Sequence, residues 1–285
     1  MKDPERRKDD WTVAAMLEWA TSYFREKGVK SPRLSIEWLL SDVLGLKRLD
    51  LYLNHDRPLA REERDRLRPL VVRRAAGEPL QYITGYTDFH HLRIRVSPDV
   101  LIPRPETEQL VELVLEEHDS KPRSVLDIGT GSGCIALALK KARPEWTLHA
   151  LDRCGKALDV ARSNARENGL EVIFHHGPFQ TFQPGEKPGI IVSNPPYITP
   201  EEKESLDHEV AAYEPGAALF TDNISHLYDQ LFLFCRDYGA PGGSCYFEIN
   251  ESFGDALLKT ARHHSLTLSL EKDYSGKDRF LKGKF

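Results

Sequence analysis

From residue 123 to the C-terminus, short apolar runs alternate with stretches of helical period, and no other feature restricts the fold as strongly. Ser124-Val125-Leu126-Asp127-Ile128 reads as a strand, 135–141 as a helix, 147–151 as a strand, and 157–168 as a helix stopped by Gly169. Residues 171–175 follow as a strand. Ile190-Ile191-Val192-Ser193 has the short apolar character of a strand buried on both faces. Residues 227–238 read as a helix, and 244–249 as a strand after the Gly242-Gly243 turn. Residues 266–270 and 279–282 are expected as the last strands. Alternation of this kind requires crossover connections, hence an open, mostly parallel α/β sheet.

The first part of the chain has a different period. Val13, Met16, Leu17, Ala20 and Phe24 recur at helical spacing, and Gly28 ends that run. Ser31-Pro32 reads as an N-cap followed by proline at the first helical position. Leu34, Trp38, Leu39 and Val43 would line one face of the helix, with Gly45 closing it. A third helix is expected over 59–76, with a kink or break at Pro69. Its arginines, from Arg61 to Arg74, are expected on a solvated face paired with Glu62, Glu63 and Asp65. Leu92-Arg93-Ile94-Arg95-Val96 then alternates as a half-buried strand should. The divisions expected are a tail at 1–10, a helical domain at 11–83, a β-hairpin linker at 84–104 and an α/β domain at 105–285. After the stiff Ile102-Pro103-Arg104-Pro105, a helix should begin with Glu106 and Glu108 in its first turn.

Composition narrows the classes of function. The net charge of −5 lacks the basic excess that phosphate neutralisation requires of a stable nucleic-acid binder. No apolar run is long enough to span a bilayer, and a cytoplasmic protein is expected. The four cysteines, Cys134, Cys154, Cys235 and Cys245, show neither C-x-x-C pairing nor zinc spacing. They are expected to be small buried residues, and no metal is expected.

Chemistry concentrates in two places. The loop Asp127-Ile128-Gly129-Thr130-Gly131-Ser132-Gly133 lies between a strand and a helix, where glycines allow a sharp turn and close approach to a ligand. Asp152 ends the next strand, where a carboxylate can accept hydrogen bonds from both hydroxyls of a ribose. Loop and acid together indicate a nucleoside-containing cofactor without separating NAD from S-adenosylmethionine. Phe179 follows the strand after that, where an aromatic ring either covers an adenine or joins the core.

The second place is Asn194-Pro195-Pro196-Tyr197, which closes the apolar strand ending at Ser193. Ligands of open parallel sheets bind at the carboxyl ends of the strands, so this tetrapeptide should lie beside the cofactor. An amide or aromatic amine nitrogen is a poor nucleophile because its lone pair is delocalised. A site that methylates it should offer acceptors to its two N–H groups. Asn194 has a side-chain carbonyl oxygen, and the backbone carbonyl of Pro195 is a second acceptor. The prolines add no competing N–H, and Tyr197 can pack on the flat face of the target group. Combined with the glycine loop and Asp152, the tetrapeptide points to methyl transfer from S-adenosyl-L-methionine.

Gly77-Glu78-Pro79-Leu80-Gln81-Tyr82-Ile83-Thr84-Gly85, the 101–108 block, Asp127 to Gly133, Asn194 to Tyr197, Tyr213-Glu214-Pro215 with Ala218-Leu219, and Gly276-Lys277-Asp278-Arg279 complete a pattern. The chain resembles the peptide chain release factor N5-glutamine methyltransferases over nearly its whole length from the helical domain onward. The resemblance implies a seven-stranded class I methyltransferase (Rossmann-like) domain, preceded by a small helical domain and a β-hairpin linker. It also implies the glutamine of a Gly-Gly-Gln tripeptide in release factors as substrate, with the helical domain helping to grip that partner. A monomer is expected. Cofactor contacts are implied for Gly129, Thr130, Gly131, Ser132, Gly133, Asp152, Phe179 and Asn194. Substrate contacts are implied for Asn194, Pro195, Pro196 and Tyr197, with Asn194 and Pro195 catalytic.

Ile102-Pro103-Arg104-Pro105-Glu106-Thr107-Glu108 favours this branch over the ribosomal protein L3 glutamine methyltransferases, which resemble it but carry a Pro-Arg-Ser type sequence there. N6-adenine and other nucleic-acid amino-methyltransferases share the tetrapeptide, because an exocyclic amine poses the same hydrogen-bonding problem. They also need basic surface for the backbone and must flip out a base. The chain departs from the family pattern in several places. Phe179 stands where tryptophan is usual and Pro178 where an acid is common. Phe220-Thr221-Asp222-Asn223-Ile224 replaces a glycine-rich turn, and Asn250-Glu251-Ser252 replaces a segment with glycine and glutamine.

Overall fold

The computed structural model describes residues 11–285; the tail expected at 1–10 lies outside the described residues. The chain divides into two compact units. The first comprises residues through Gly85 together with His208–Tyr213, and the second comprises Tyr86–Asp207 and Glu214–Phe285.

The first unit contains the helices Val13–Glu26, Pro32–Leu44, Arg48–Leu53, Arg61–Ala75, Leu80–Thr84 and His208–Tyr213. Thr12 caps the first, its hydroxyl oxygen accepting the Ala15 N–H at 3.2 Å. That helix buries Val13, Met16, Leu17, Ala20 and Phe24, the stripe expected from spacing. The second helix buries Leu39 and Val43 as expected, but Ile36 and Leu40 join them in the core in place of Leu34, which is 38% exposed. Trp38 is half-buried and lies 5.6 Å from the Arg48 guanidinium, over its ring. Ser31 sits at the N-cap, but its left-handed backbone (φ 48°) leaves the side chain without a capping bond.

Arg61–Ala75 is one continuous helix through Pro69, so the chain does not break there. Pro69 is exposed, so water can solvate the carbonyl that loses its partner there, while Leu67 and Val71 hold the opposite face in the core. The arginine run is also less uniform than expected. Arg61 pairs with Asp65 on the surface at 3.6 Å, and Glu63 takes Arg57 at 2.6 Å. Arg74 is buried; it bonds Ser35 Oγ at 3.1 Å and the Glu78 carbonyl at 2.8 Å, and pairs with Glu209 at 2.8 Å.

The second unit opens with a hairpin, β1 (Tyr86–Phe89) and β2 (Leu92–Arg95), paired antiparallel. Phe89, Leu92, Ile94 and Val96 are its buried residues. Asn164 docks it on the helix Gly155–Asn168, accepting the Arg95 N–H at 2.7 Å and donating to the Arg95 carbonyl at 3.1 Å. The main sheet contains β3 (Ser124–Ile128), β4 (Thr147–Asp152), β5 (Ile173–His176), β6 (Ile190–Ser193), β7 (Ser244–Glu248), β8 (Thr267–Lys272) and β9 (Asp278–Lys284). Its order is β5-β4-β3-β6-β7-β9-β8, with β9 antiparallel to both neighbours and the other pairings parallel. All residues of β3, β6 and β7 are buried, as central strands covered on both faces must be.

The chain runs outward from β3 through β4 to β5, then returns to place β6 on the other side of β3. The crevice at the carboxyl ends of β3 and β6 is therefore the topological switch point, where open α/β sheets bind ligands. Cys134, Cys235 and Cys245 are buried as expected, but Cys154 is exposed because it lies in the turn after β4.

Candidate active site

A cavity of about 250 Å³ opens at this switch point. The glycine loop forms one wall. Gly129, Gly131 and Gly133 have φ of 74°, 55° and 82°, left-handed values that side chains rarely adopt. Gly129, Thr130, Gly131 and Ser132 line the cavity, but Gly133 does not. A Cβ on Gly133 would lie 3.1 Å from Ala161 Cβ, so its role is close packing of the loop on the Gly155–Asn168 helix. Asp127 underlies the loop, fully buried, and accepts the Thr130 hydroxyl at 2.6 Å. Burial pushes its carboxyl up to about 7; the Thr130 hydroxyl and the Ala136 N–H oppose the rise, while the nearby Asp152 charge adds to it.

Asp152 ends β4 on the rim. Its two oxygens accept the backbone N–H groups of Gly131 at 2.9 Å and Cys154 at 2.8 Å. Each oxygen retains a lone pair for a further donor. Phe179 also lines the cavity and meets Phe234 edge-on at 6.1 Å. Leu151, Ile135, Leu227 and Leu231 complete an apolar floor. A wall of unhindered backbone, a carboxylate rim and an apolar slot with an aromatic ring suit the methionine, ribose and adenine portions of S-adenosylmethionine. The residues present therefore fit that cofactor.

Asn194, Pro195 and Pro196 line the same cavity from the end of β6. Tyr197 is not among the lining residues. Its hydroxyl donates to Glu248 Oε1 at 2.7 Å, and burial together with that carboxylate raises its pKa. Glu248 ends β7 and is 1% exposed. Its other oxygen accepts the Thr107 hydroxyl at 2.8 Å, and Thr107 accepts Asn194 Nδ2 at 3.0 Å. Burial raises the Glu248 carboxyl above its ordinary value, against the lowering effect of Tyr197, Thr107 and Arg279. Neither Thr107 nor Glu248 was singled out by its residue type. An acid closing the otherwise apolar Cys245-Tyr246-Phe247 run is the signal that marks Glu248.

A second buried acid joins two of the sequence blocks. Glu214 accepts the Ile102 N–H at 3.1 Å and bonds the Arg104 guanidinium at 2.5 Å. It ties the 101–108 block to Pro215, Ala217 and Ala218, all of which border the cavity with Leu101 and Pro103. The departures from the family pattern are locally satisfied. Asn250 Nδ2 donates to the Tyr197 carbonyl at 3.1 Å and to Glu202 at 3.0 Å, and Asn223 caps the Ile224–Tyr238 helix through His226 N at 2.9 Å.

The fold is similar to that of a methyltransferase crystal structure from Pyrococcus furiosus, which matches with a TM-score of 0.51 at 19% identity over 68% of this chain and 88% of that one. A family model described as "Methyltransferase small domain" matches residues 106–213. Sheet order, glycine loop and switch-point cavity together are those of a class I methyltransferase. A model described as "PrmC N-terminal domain" matches residues 15–85. The chain is 42% identical over 252 residues to the release factor glutamine methyltransferase of Geobacter sulfurreducens, covering 87% of each, and 36% identical over 267 residues to that of Enterococcus faecalis, covering 93% of this chain and 96% of the relative. It belongs to the release factor glutamine methyltransferase family.

Proposed function

We propose that this chain transfers a methyl group from S-adenosyl-L-methionine to the side-chain amide nitrogen, N5, of the glutamine in the Gly-Gly-Gln tripeptide of peptide chain release factors. The observation that carries the reading is the position of Asn194-Pro195-Pro196 on the cavity lined by Gly129 to Ser132 and Asp152. Relatives named for glutamine methylation of release factors support the substrate. The cofactor supplies an electrophilic methyl group on a sulfonium.

The remaining chemistry belongs to the chain. Asn194 Oδ1 and the Pro195 carbonyl accept the two N–H groups of the target amide, which orients its nitrogen for in-line attack. As positive charge develops on that nitrogen, two preoriented carbonyl dipoles stabilise it, and one N–H proton then leaves to solvent to give the neutral N-methyl amide. The prolines withhold N–H donors that would compete for the target's own carbonyl or repel its N–H groups. Asp152 holds the ribose hydroxyls, and Phe179 covers the adenine. Tyr197 does not line the cavity; its hydroxyl is tied to Glu248, and its ring would meet the substrate beyond the cavity lining. The helical unit supplies binding surface for the release factor. We place the reaction in the cytoplasm, with the enzyme acting as a monomer.

Mass spectrometry of a release factor co-expressed with this protein tests the proposal. One methyl group on the Gly-Gly-Gln glutamine is expected with the wild type. Asn194→Ala should lower turnover by ~10²–10³-fold, the scale of losing one preorganised polar group at a reacting centre. An unmethylated release factor, or methyl transfer to DNA instead, would overturn it.

A further inference from the structure

The acceptor role of Asn194 depends on which end of its amide faces the cavity. A carboxamide is nearly symmetric in shape, so packing alone does not decide between the carbonyl oxygen and the NH2. With the NH2 turned inward, a donor would meet the donors of the target amide, and the site would repel its substrate. Something must fix the polarity of Asn194, and the structure contains a chain of hydrogen bonds that does so.

Thr107 Oγ1 lies between Asn194 Nδ2, at 3.0 Å, and Glu248 Oε2, at 2.8 Å. A hydroxyl has one proton and two lone pairs. Glu248 accepts the Tyr197 hydroxyl on one oxygen and the Thr107 hydroxyl on the other, so the Thr107 proton points to Glu248. Lone pairs are then all that Thr107 can offer to Asn194, and the Asn194 NH2 turns toward it. Oδ1 is left for the other side. The arrangement is closed at the far end as well. Glu248 Oε1 accepts the Tyr197 hydroxyl at 2.7 Å, and the Tyr228 hydroxyl bonds the Glu248 main-chain carbonyl. Reversing the Asn194 amide would set its oxygen against a Thr107 lone pair, or take the Thr107 proton from a carboxylate that is only 1% exposed.

We infer that Thr107 and Glu248 are positioning residues for methyl transfer, acting through Asn194 to turn its carbonyl oxygen toward the substrate nitrogen. The inference rests on the glutamine methyltransferase reading above. Thr107 acts through its hydroxyl rather than its methyl group, and Glu248 as an acceptor of two hydroxyls. Thr107 also borders the cavity beside Asn194, whereas Glu248 does not.

The test compares wild type, Thr107→Val, Thr107→Ser and Glu248→Gln in steady-state methyl transfer to a purified release factor. S-adenosylmethionine affinity is measured by calorimetry, and folding by thermal melting. Thr107→Val keeps the side-chain shape and removes the hydroxyl. It should lower kcat/KM for the release factor by ~10–100-fold, the scale of one lost hydrogen bond behind a reacting group, with cofactor Kd changed less than about 2-fold. Thr107→Ser restores the hydroxyl and should recover activity to within roughly 3-fold of wild type. Glu248→Gln offers one N–H2 where an acceptor is needed, and should fall in the same direction as the valine variant.

A folded Thr107→Val enzyme with wild-type kcat/KM overturns the inference, as does a serine variant as impaired as the valine one. Should Thr107→Val fail to fold, wild-type turnover by Glu248→Gln, or poor turnover by a folded Thr107→Ser, does the same. The two readings fail separately. A wild-type enzyme that leaves the release factor unmethylated sinks the substrate assignment before any variant is compared.

Discussion

Replacing Asp152 with asparagine changes one oxygen of the carboxylate into an NH2, and the structure shows why neither orientation of the new amide can be accommodated. Both oxygens already accept a backbone N–H, from Gly131 at 2.9 Å and from Cys154 at 2.8 Å. Whichever way the amide turns, its NH2 faces one of those donors, and one ribose hydroxyl loses its acceptor. A hydrogen bond to a charged group contributes ~1.5–3 kcal/mol, which corresponds to a ~10–100-fold weaker Kd for S-adenosylmethionine. The lost bond to the glycine loop acts without ligand too. About 1–2 kcal/mol there should lower the melting temperature of the free protein by roughly 2–4 °C in a chain of this size. Isothermal titration with S-adenosylmethionine and a thermal melt without it measure the two effects independently. A cofactor Kd within about 2-fold of wild type would refute the ribose assignment, whereas an unchanged melt would show that the loop does not rely on the carboxylate.

Two further substitutions probe the same loop. Gly133→Ala combines a left-handed φ of 82° with a Cβ contact of 3.1 Å to Ala161, and should cost at least ~1–2 kcal/mol, read as a lower denaturation midpoint; an unchanged midpoint would contradict the packing role. Asp127 has a folded pKa raised to about 7 from an ordinary 3.8. Such a group stabilises the fold fully below the unfolded value and loses that contribution as pH rises through the folded one, a swing of roughly 4 kcal/mol. Asp127→Asn should therefore flatten stability against pH between about 4 and 7, and melting curves that stay parallel to wild type would count against the shifted carboxyl.

The α/β unit was readable because its strands are either wholly apolar or cleanly bounded. Ile190-Ile191-Val192-Ser193 and the Asp127 to Gly133 loop leave little freedom, since a doubly covered strand followed by glycines at positive φ has few homes. The second helix was read correctly at Leu39 and Val43 and misread at one end, where Leu34 with Trp38 lost to Ile36 with Leu40. At Pro69 the helix continues because the residue is exposed, where water can solvate the freed carbonyl, and because Leu67 and Val71 anchor the opposite face. The cavity residues Asn194, Pro195 and Pro196 carry their chemistry in their own side chains and backbone. Thr107 and Glu248 do not. Their significance comes from meeting across a gap of 141 residues, and only the folded chain brings that about.

The helix His208–Tyr213 has a consequence for how this protein can be divided. It is encoded in the middle of the catalytic sequence yet belongs to the helical unit, where Glu209 answers the buried Arg74 charge and the Tyr213 hydroxyl bonds the Ala76 carbonyl at 3.1 Å. The helical unit is therefore not a contiguous stretch of the gene. A fragment ending at Gly85 would expose an arginine built for burial without its carboxylate, so a clean excision, fusion or swap of that unit must carry two separate pieces of sequence. Recombination that exchanges whole exon-like blocks would find no single cut that moves the helical unit intact.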